Sequence, residues 1–378
     1  MTHIVVLGSG FGALTAVREI RKSRIDAQIT LISPDNHLTY LPSLIWMPSG
    51  LRNSADIDIN LEKFLARENV VWHQGRVASL KAGGRVVVTE AGEEIANDYL
   101  IVATGSRFIK KMPGLVENAI IPCSGPASGQ LIHDRINDMD GGTIAFGFGT
   151  NPKEPGAVRG GPMFEFLFGV DTLLRQQGRR DKFELVFFNG AEKPGIRLGE
   201  KAVKGLLAQM AKRGIKTHLG AKPRQIAANK VVTEREEFAA DLVLFMPGMT
   251  GPEWLDNTEL PRSAGGFIKA DEMCRIEGWE RSFVVGDTGS YPGPDWLAKQ
   301  AHQADLQAEA AVKNIVADLK GQPMTHRFKV ELICIVDTID KGILVYRKGN
   351  MTLFLPPMKL MHWAKRAFER HYLRAYRK

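Results

Sequence analysis

Cysteine is scarce: Cys123, Cys274 and Cys334 are the only three in 378 residues. Three scattered thiols exclude a disulfide-stapled fold, and no two have the close spacing of a zinc knuckle. They are left as small core residues or as redox groups. The nine histidines show no ligand-like spacing, so no metal is expected. Long apolar runs are also lacking. None approaches the roughly 20 residues that a spanning helix needs, so no transmembrane helix is expected. The N-terminus enters an apolar strand pattern, HIVVLG, without the basic segment, apolar core and cleavage site of a signal peptide. Low-complexity segments and long linkers are missing as well.

What is present is ample chain, enough for two units and an appendage rather than one core. A hydrophobic content of 44% with 24% charged residues is that of a globular protein. The formal charge is +8, but from Met358 onward seven Lys/Arg stand against Glu369 alone. The basicity belongs to the tail, and no basic, aromatic groove elsewhere suggests nucleic acid.

The chain opens as strand, glycine turn, helix and strand: HIVVLG, SGFGALTAVREIRKS, QITLIS. Gly8, Gly10 and Ala13 fit G-x-G-x-x-A, with Gly12 as a further small residue; such glycines let a backbone approach a pyrophosphate at a helix N-terminus. The carboxylate expected after the second strand, for a ribose hydroxyl, is missing. Ser33 stands there and Asp35 follows, and either is a candidate. Two later apolar strands end in turns: one at Ala103-Thr104-Gly105, the other at Gly286-Asp287. Between them, residues 143–250 repeat the alternation of strands and helices.

The second unit carries its own glycine loop, GFGTNPKEPGAVRGGPMFE, from Gly147 to Glu165. A nicotinamide site would need Gly or Ala where Pro152 stands, and a helix close behind the strand. Pro152 and Pro155 delay that helix to about Gly161 or Pro162, where proline suits a first turn. After the next strand comes Asn189-Gly190, so no carboxylate awaits a ribose. The loop argues against NAD(P)H.

The three glycine motifs, taken in order, resemble the two-dinucleotide-binding-domain flavoproteins of the disulfide reductase superfamily. That resemblance implies FAD, with Gly8, Gly10, Gly12, Ala13, Ala103, Thr104 and Gly105 on its adenosine and pyrophosphate side. Ser33 or Asp35 would meet the ribose, and Gly286 and Asp287 the ribityl chain. Later segments are more discriminating. Gly161–Glu165, PGIRLGEKAVKGLLAQMAKRGI, KQAHQADLQAEAAVKNI and LMHWAKRAFERHYL resemble the sulfide:quinone oxidoreductase family. Gln300, Ala301 and Gln303 also resemble the quinone-side helix of type II NADH dehydrogenases. The expected fold is α/β: two Rossmann-like dinucleotide-binding domains of the disulfide reductase superfamily plus a C-terminal amphipathic helical membrane-association region. Its expected divisions are an FAD domain at 1–120 and 251–320, a second Rossmann-like domain with a degenerate NAD site at 121–250, and the C-terminal region at 321–378.

In that family sulfide attacks a redox-active cysteine pair beside the flavin, chemistry that calls for a low-pKa thiolate. The resemblance assigns the pair to Cys123, in AIIPCSGP, and Cys334, in ELICIVDTIDKG; the alternative is two core thiols. Cys274 is read as a core residue. The family's third cysteine, just before G-P-x-F/Y-E, is replaced by Arg159 or Gly160. This points to a two-cysteine version, as in flavocytochrome c sulfide dehydrogenases. Arg159 would then stabilise a thiolate or a reduced flavin, unless it is a solvated loop residue. Glu165 is a candidate proton relay, and Lys299 a positive charge at the flavin's pyrimidine edge; exposed salt bridges are the alternative for both.

From Leu360 onward Trp363/Ala364, Ala367/Phe368, Tyr372 and Ala375/Tyr376 recur at helical spacing among basic residues. Such a helix suits an anionic membrane interface, where a quinone is met. Packing against its own domain is the alternative. The double proline Pro356-Pro357 predicts a break just before it. The leading reading is an FAD-dependent sulfide:quinone oxidoreductase-like peripheral membrane enzyme; a homo-oligomer is compatible with it. Alternatives are a type II NADH:quinone dehydrogenase and a non-catalytic flavoprotein or sulfur-binding partner.

Overall fold

The computed structural model describes residues 1–377. Lys378, one of the tail's basic residues, lies outside the described residues.

Strand β1 (Thr2–Leu7) is buried from Ile4 to Leu7, as a parallel strand covered on both faces requires. Helix α1 (Phe11–Lys22) follows, then β2 (Ala27–Ser33), β3 (Val70–Gln74) and β4 (Tyr99–Val102). Helix α2 (Pro126–Asp138) leads into a second unit: β5 (Gly142–Phe148), α3 (Gly160–Gln176), β6 (Phe183–Asn189), α4 (Glu200–Lys212), β7 (Lys216–Leu219) and β8 (Leu242–Met246). The chain then returns to the first sheet with β9 (Ser282–Val284) and helix α5 (Ala301–Leu319).

The first sheet has the order β9-β4-β1-β2-β3 and the second β7-β6-β5-β8, all pairs parallel. Each sheet reverses its winding beside its own first strand, between β1 and β4 and between β5 and β8. Such switch points open a crevice at the carboxyl ends of the strands. Each unit also carries a three-stranded antiparallel meander, Val77–Ala96 in one and Pro223–Ala239 in the other.

A third sheet closes the molecule: β10 (Glu331–Asp337), β11 (Gly342–Lys348) and β12 (Met351–Met358), antiparallel in that order. Its inner face buries Leu332, Val336, Ile343 and Val345, whereas Ile333 and Leu353, paired to opposite sides of Tyr346, are exposed. The double proline immediately precedes the break between strand and helix. It lies inside β12, an edge strand with no further partner to satisfy, and the break falls at Met358.

Helix α6 (Lys359–Arg377) is amphipathic, but its apolar residues divide between two surfaces. Leu373 and Tyr376 are buried, and Tyr372 and Tyr376 join a ring cluster with Phe11, Tyr40 and Phe64. Leu360, Trp363 and Phe368 are 67%, 61% and 55% exposed. The single apolar stripe predicted from spacing is therefore half core and half surface. Among the described residues, no helix is long and apolar enough to cross a membrane.

Candidate active site

At the first switch point the backbone is shaped for close approach. Gly8 has φ +105°, and a Cβ there would meet the Ala103 carbonyl oxygen at 2.5 Å. Gly12 lies against Val285, whose Cγ2 a Cβ would meet at 2.9 Å, so α1 can sit tightly on the sheet. Around Gly10, which begins α1, nothing lies within 4 Å of a Cβ position. No side chain caps this helix and its first turn has no acid. Phe11, Gly12 and Ala13 thus present N–H groups to open space, a fit for the pyrophosphate of a dinucleotide.

The two later glycine turns lie beside this crevice. Gly105 accepts from Thr288 Oγ1 at 2.9 Å, and Thr104 Oγ1 accepts from Trp254 Nε1 at 3.1 Å. The Gly286 N–H donates to Gln307 Oε1 at 2.8 Å, which ties the turn to α5. Lys299 donates to the carbonyls of Asp287 and Gly289 at 3.1 and 2.5 Å, and burial pushes its ammonium down to about 8. Of the ribose candidates, Ser33 is buried, donates to the Asp35 carbonyl at 2.5 Å and accepts from Trp72 Nε1 at 3.1 Å. Asp35 is exposed, with one carboxylate oxygen on the His37 N–H at 3.2 Å.

The second switch point is closed by its own loop. Asn151 donates to the carbonyls of Met249 and Gly265, both at 2.9 Å, and Glu154 accepts from Ser263 Oγ at 2.5 Å. Gly248 passes so close to Thr150 and Asn151 that no Cβ would fit between them. Arg197 bonds the Gly156 carbonyl and donates to that of Leu297 at 2.7 Å. The loop therefore lies flat across the end of β5, and α3 begins only at Gly160, one residue before the predicted start. Asn189 turns inward to the Phe148 carbonyl at 2.8 Å.

Where the loop ends, Arg159 crosses to the first unit and pairs with Asp287 at 2.5 Å, both largely buried. Cys123 and Cys334, far apart in sequence, both come within electrostatic reach of Glu165 there. The Cys334 sulfur lies 3.5 Å from the position a Cβ on Gly161 would take. Burial pushes Cys123 up to about 11, with Arg159 opposing and Glu165 adding to the rise. It pushes Cys334 up to about 12, with Glu165 adding and Lys365 opposing. Both are free thiols. The low-pKa thiolate that the family resemblance implies is not what this burial favours; Arg159 and Lys365 are the charges that pull toward it. Cys274 lies elsewhere, fully buried against the Gln307 carbonyl.

Glu165, on the first turns of α3, is 5% exposed. Burial raises its carboxyl, against the pull of Lys365, which bonds it directly, and of the Asp337 N–H at 2.9 Å. Beside it Asp337 accepts from Trp46 Nε1 at 3.0 Å and pairs with His362 Nδ1 at 2.8 Å. Two turns of α6 further along, Glu369 accepts from Ser43 Oγ at 2.6 Å and from Arg52. Sequence reasoning did not single out His362 or Asp337, and took Lys365 only as tail charge. The signal was His362, Lys365 and Glu369 at spacings of three and four, a polar stripe within an apolar–basic helix. Gln300 and Gln303, noted for their likeness to a quinone-side helix, instead donate to the Glu331 and Lys329 carbonyls at 3.2 and 2.9 Å.

Comparison with known proteins matches residues 2–142 and 182–308 to the family described as pyridine nucleotide-disulphide oxidoreductase. The chain belongs to that family. It is accordingly an oxidoreductase. A sulfide-quinone reductase of Aquifex aeolicus is 24% identical over 98% of this chain and 90% of its own. The X-ray structure of the Aquifex aeolicus sulfide:quinone oxidoreductase superposes with a TM-score of 0.91 at 22% identity, covering 100% of this chain and 92% of that one. An NADH dehydrogenase-like protein of Mycobacterium tuberculosis is 23% identical over 92% of this chain and 88% of its own. This pyridine nucleotide-disulphide oxidoreductase thus has relatives in both functional groups suggested by its sequence.

Proposed function

We propose that this oxidoreductase is an FAD-dependent sulfide:quinone oxidoreductase-like enzyme working at a membrane surface. The observation that carries the reading is the convergence of Cys123, Cys334, Glu165 and Arg159 on the start of α3. FAD, when bound, would supply the two-electron relay. Residues 1–120 and 251–320 would hold it: Gly8, Gly10, Gly12 and Ala13 at the pyrophosphate, Asp35 or Ser33 at the ribose, and Ala103–Gly105, Gly286, Asp287 and Lys299 along the rest. Residues 121–250 form the second unit, and 321–378 the acceptor-side region.

In this reading Cys123 and Cys334 cycle between disulfide and thiols. Hydrosulfide attacks one sulfur of the disulfide, a persulfide forms on it, and the other cysteine leaves as a thiolate. Arg159 favours that thiolate at Cys123, and Lys365 does so at Cys334. Glu165, whose carboxyl burial raises, can take the proton that hydrosulfide brings. The type II NADH dehydrogenase alternative is disfavoured by the loop at 149–159, which occupies the place a nicotinamide nucleotide would need.

Leu360, Trp363 and Phe368 of α6 are exposed apolar residues, as are Ile333, Leu353 and Met351 of the third sheet. Arg370 and Arg374 of α6 are exposed as well. Each basic residue near an anionic bilayer contributes about 1 kcal/mol, so this surface suits contact with the membrane where quinone is dissolved.

The deciding experiment is anaerobic mixing. Sulfide is expected to bleach the flavin of the holoenzyme and NADH to leave it yellow; the opposite result overturns the reading. Cys123→Ser and Cys334→Ser are each expected to abolish bleaching by sulfide. Unchanged quinone reduction by sulfide in both variants would rule out the cysteine pair.

A further inference from the structure

One buried acid–base pair has no task in sulfide oxidation: Asp337 at the end of β10 and His362 on α6. Asp337 is fully buried. Its Oδ1 accepts from Trp46 Nε1 at 3.0 Å and the Ile339 N–H at 2.8 Å, and its Oδ2 faces His362 Nδ1 at 2.8 Å. A carboxylate only accepts, so the proton of the neutral imidazole is fixed on Nδ1. Nε2 is then the nitrogen free to gain and lose a proton.

That nitrogen has no hydrogen-bond partner among the described residues, and the His362 side chain is 7% exposed. The rest of the ring is enclosed, edge-on to Trp46 at 6.2 Å and to Trp363 at 5.8 Å. Trp363 is also part of the exposed apolar face with Leu360 and Phe368. Charged groups near the pair include Glu165 on α3, which accepts from the Asp337 N–H, Lys365 on α6, Arg366, whose guanidinium lies 5.3 Å from the Trp363 ring, and Arg52, which lies 5.1 Å from the Trp46 ring and pairs with Glu369. The pair therefore has one end anchored in the acid–base network beside Cys334 and, at the other, its imidazole ring against Trp363 of the exposed apolar face.

We propose that His362, oriented by Asp337, is the proton donor to the quinone that accepts the electrons. The proposal rests on the quinone part of the functional reading. Reduction of a quinone to a quinol consumes two electrons and two protons. FAD, when bound, would supply the two electrons, and one of the two protons would come from solvent. The other proton passes from the His362 imidazolium Nε2 to the second carbonyl oxygen, leaving a neutral imidazole that solvent re-protonates. Asp337 is a positioning residue: it keeps Nδ1–H engaged and aims Nε2 outward.

The test avoids sulfide. Holoenzyme is reduced with dithionite under argon and mixed with a water-soluble short-chain quinone, and reappearance of flavin absorbance is timed. His362→Gln is expected to slow reoxidation roughly 10²-fold, the lower range for loss of a general acid. It should also abolish the solvent deuterium isotope effect and the fall in rate with rising pH, while sulfide bleaching keeps its rate. Asp337→Asn should slow reoxidation and shift its pH dependence. Independently of turnover, diethylpyrocarbonate should modify His362 in the wild-type holoenzyme, and a quinone analogue should protect it, both read by peptide mass. A His362→Gln holoenzyme with wild-type melting temperature, reoxidation rate and isotope effect would overturn the proposal. Absence of quinone protection would overturn it too, and decides the matter if the variant does not fold. Wild-type enzyme that quinone cannot reoxidise would remove the quinone reading itself. Failure of sulfide to bleach would remove only the donor, leaving the His362 assignment standing.

Discussion

Arg159 Nη2 lies 2.5 Å from Asp287 Oδ2, so the loop of the second unit is tied by a largely buried ion pair to the glycine turn of the first. Arg159 or its neighbour Gly160 stands where the resembled family carries a further cysteine, and Arg159 brings charge to that position rather than a thiol. Arg159→Gln leaves the Asp287 carboxylate with only the neighbouring cations for compensation. Loss of one partner of a buried pair costs about 3 kcal/mol or somewhat more, read as a lower midpoint in denaturant unfolding. The same change removes the charge that opposes burial at Cys123, so that thiol moves above its present position at about 11. Alkylation of Cys123 by iodoacetamide, followed by peptide mass at fixed pH, is expected to slow. An unchanged rate would mean that Arg159 does not act on the thiol.

Glu165 and Lys365 offer a test of pairing across the molecule. Lys365→Met strands a buried carboxylate, and Glu165→Gln strands a buried ammonium; each is expected to cost about 3 to 5 kcal/mol. The double variant should cost much less than the sum, because neither charge is left alone. Strict additivity in a double-mutant cycle would deny the pair any energetic coupling.

Much of the architecture follows from local pattern. The runs HIVVLG and TIAFGF are apolar throughout because parallel strands are buried on both faces, and Pro152 announces that the second glycine loop cannot behave like the first. The acid–base network is different. Glu165 meets Lys365, Asp337 meets Trp46, and Glu369 meets Arg52 only after four separate segments are folded together. No spacing rule reaches across such distances. The helical period of α6 likewise marked its apolar residues but not which of them would find Phe64 and Tyr40 to pack against, since that depends on where the helix docks.

Asp305 on α5 gives a pH prediction. Burial raises its carboxyl to about 7, although Thr15 Oγ1 at 2.6 Å and the Tyr372 hydroxyl at 3.2 Å both donate to it. In the unfolded chain the group ionises near 3.9. Between those two values the folded state binds more protons than the unfolded one, so stability falls as pH rises from about 4 to about 7. The contribution is fully present below pH 4 and lost above 7. It amounts to at most about 4 kcal/mol, from 1.36 kcal/mol per pKa unit. Asp305→Asn keeps an acceptor for Thr15 and cannot ionise. Its unfolding free energy should lack that slope, with the difference from wild type growing steadily across the interval. Parallel pH profiles for the two proteins would show that Asp305 is not perturbed.

The membrane face of α6 needs substitutions rather than deletion. Removing the helix would unpair Glu165, Asp337 and Glu369 at once and uncover Trp46 and Phe64, each 0–1% exposed in the intact chain. A truncated chain is expected to unfold, so its release from a membrane would say nothing about contact. Leu360, Trp363 and Phe368 are all more than half exposed, and what serine would remove within the protein is the edge contact of Trp363 with His362 at 5.8 Å and that of Phe368 with Tyr372 at 6.0 Å. Such surface changes are usually within about 0.5 kcal/mol each. The triple variant should therefore keep its melting temperature and its yellow colour. In flotation with anionic liposomes it should move from the vesicle fraction to the soluble one. Retention with the vesicles at wild-type levels would place the membrane contact on another surface.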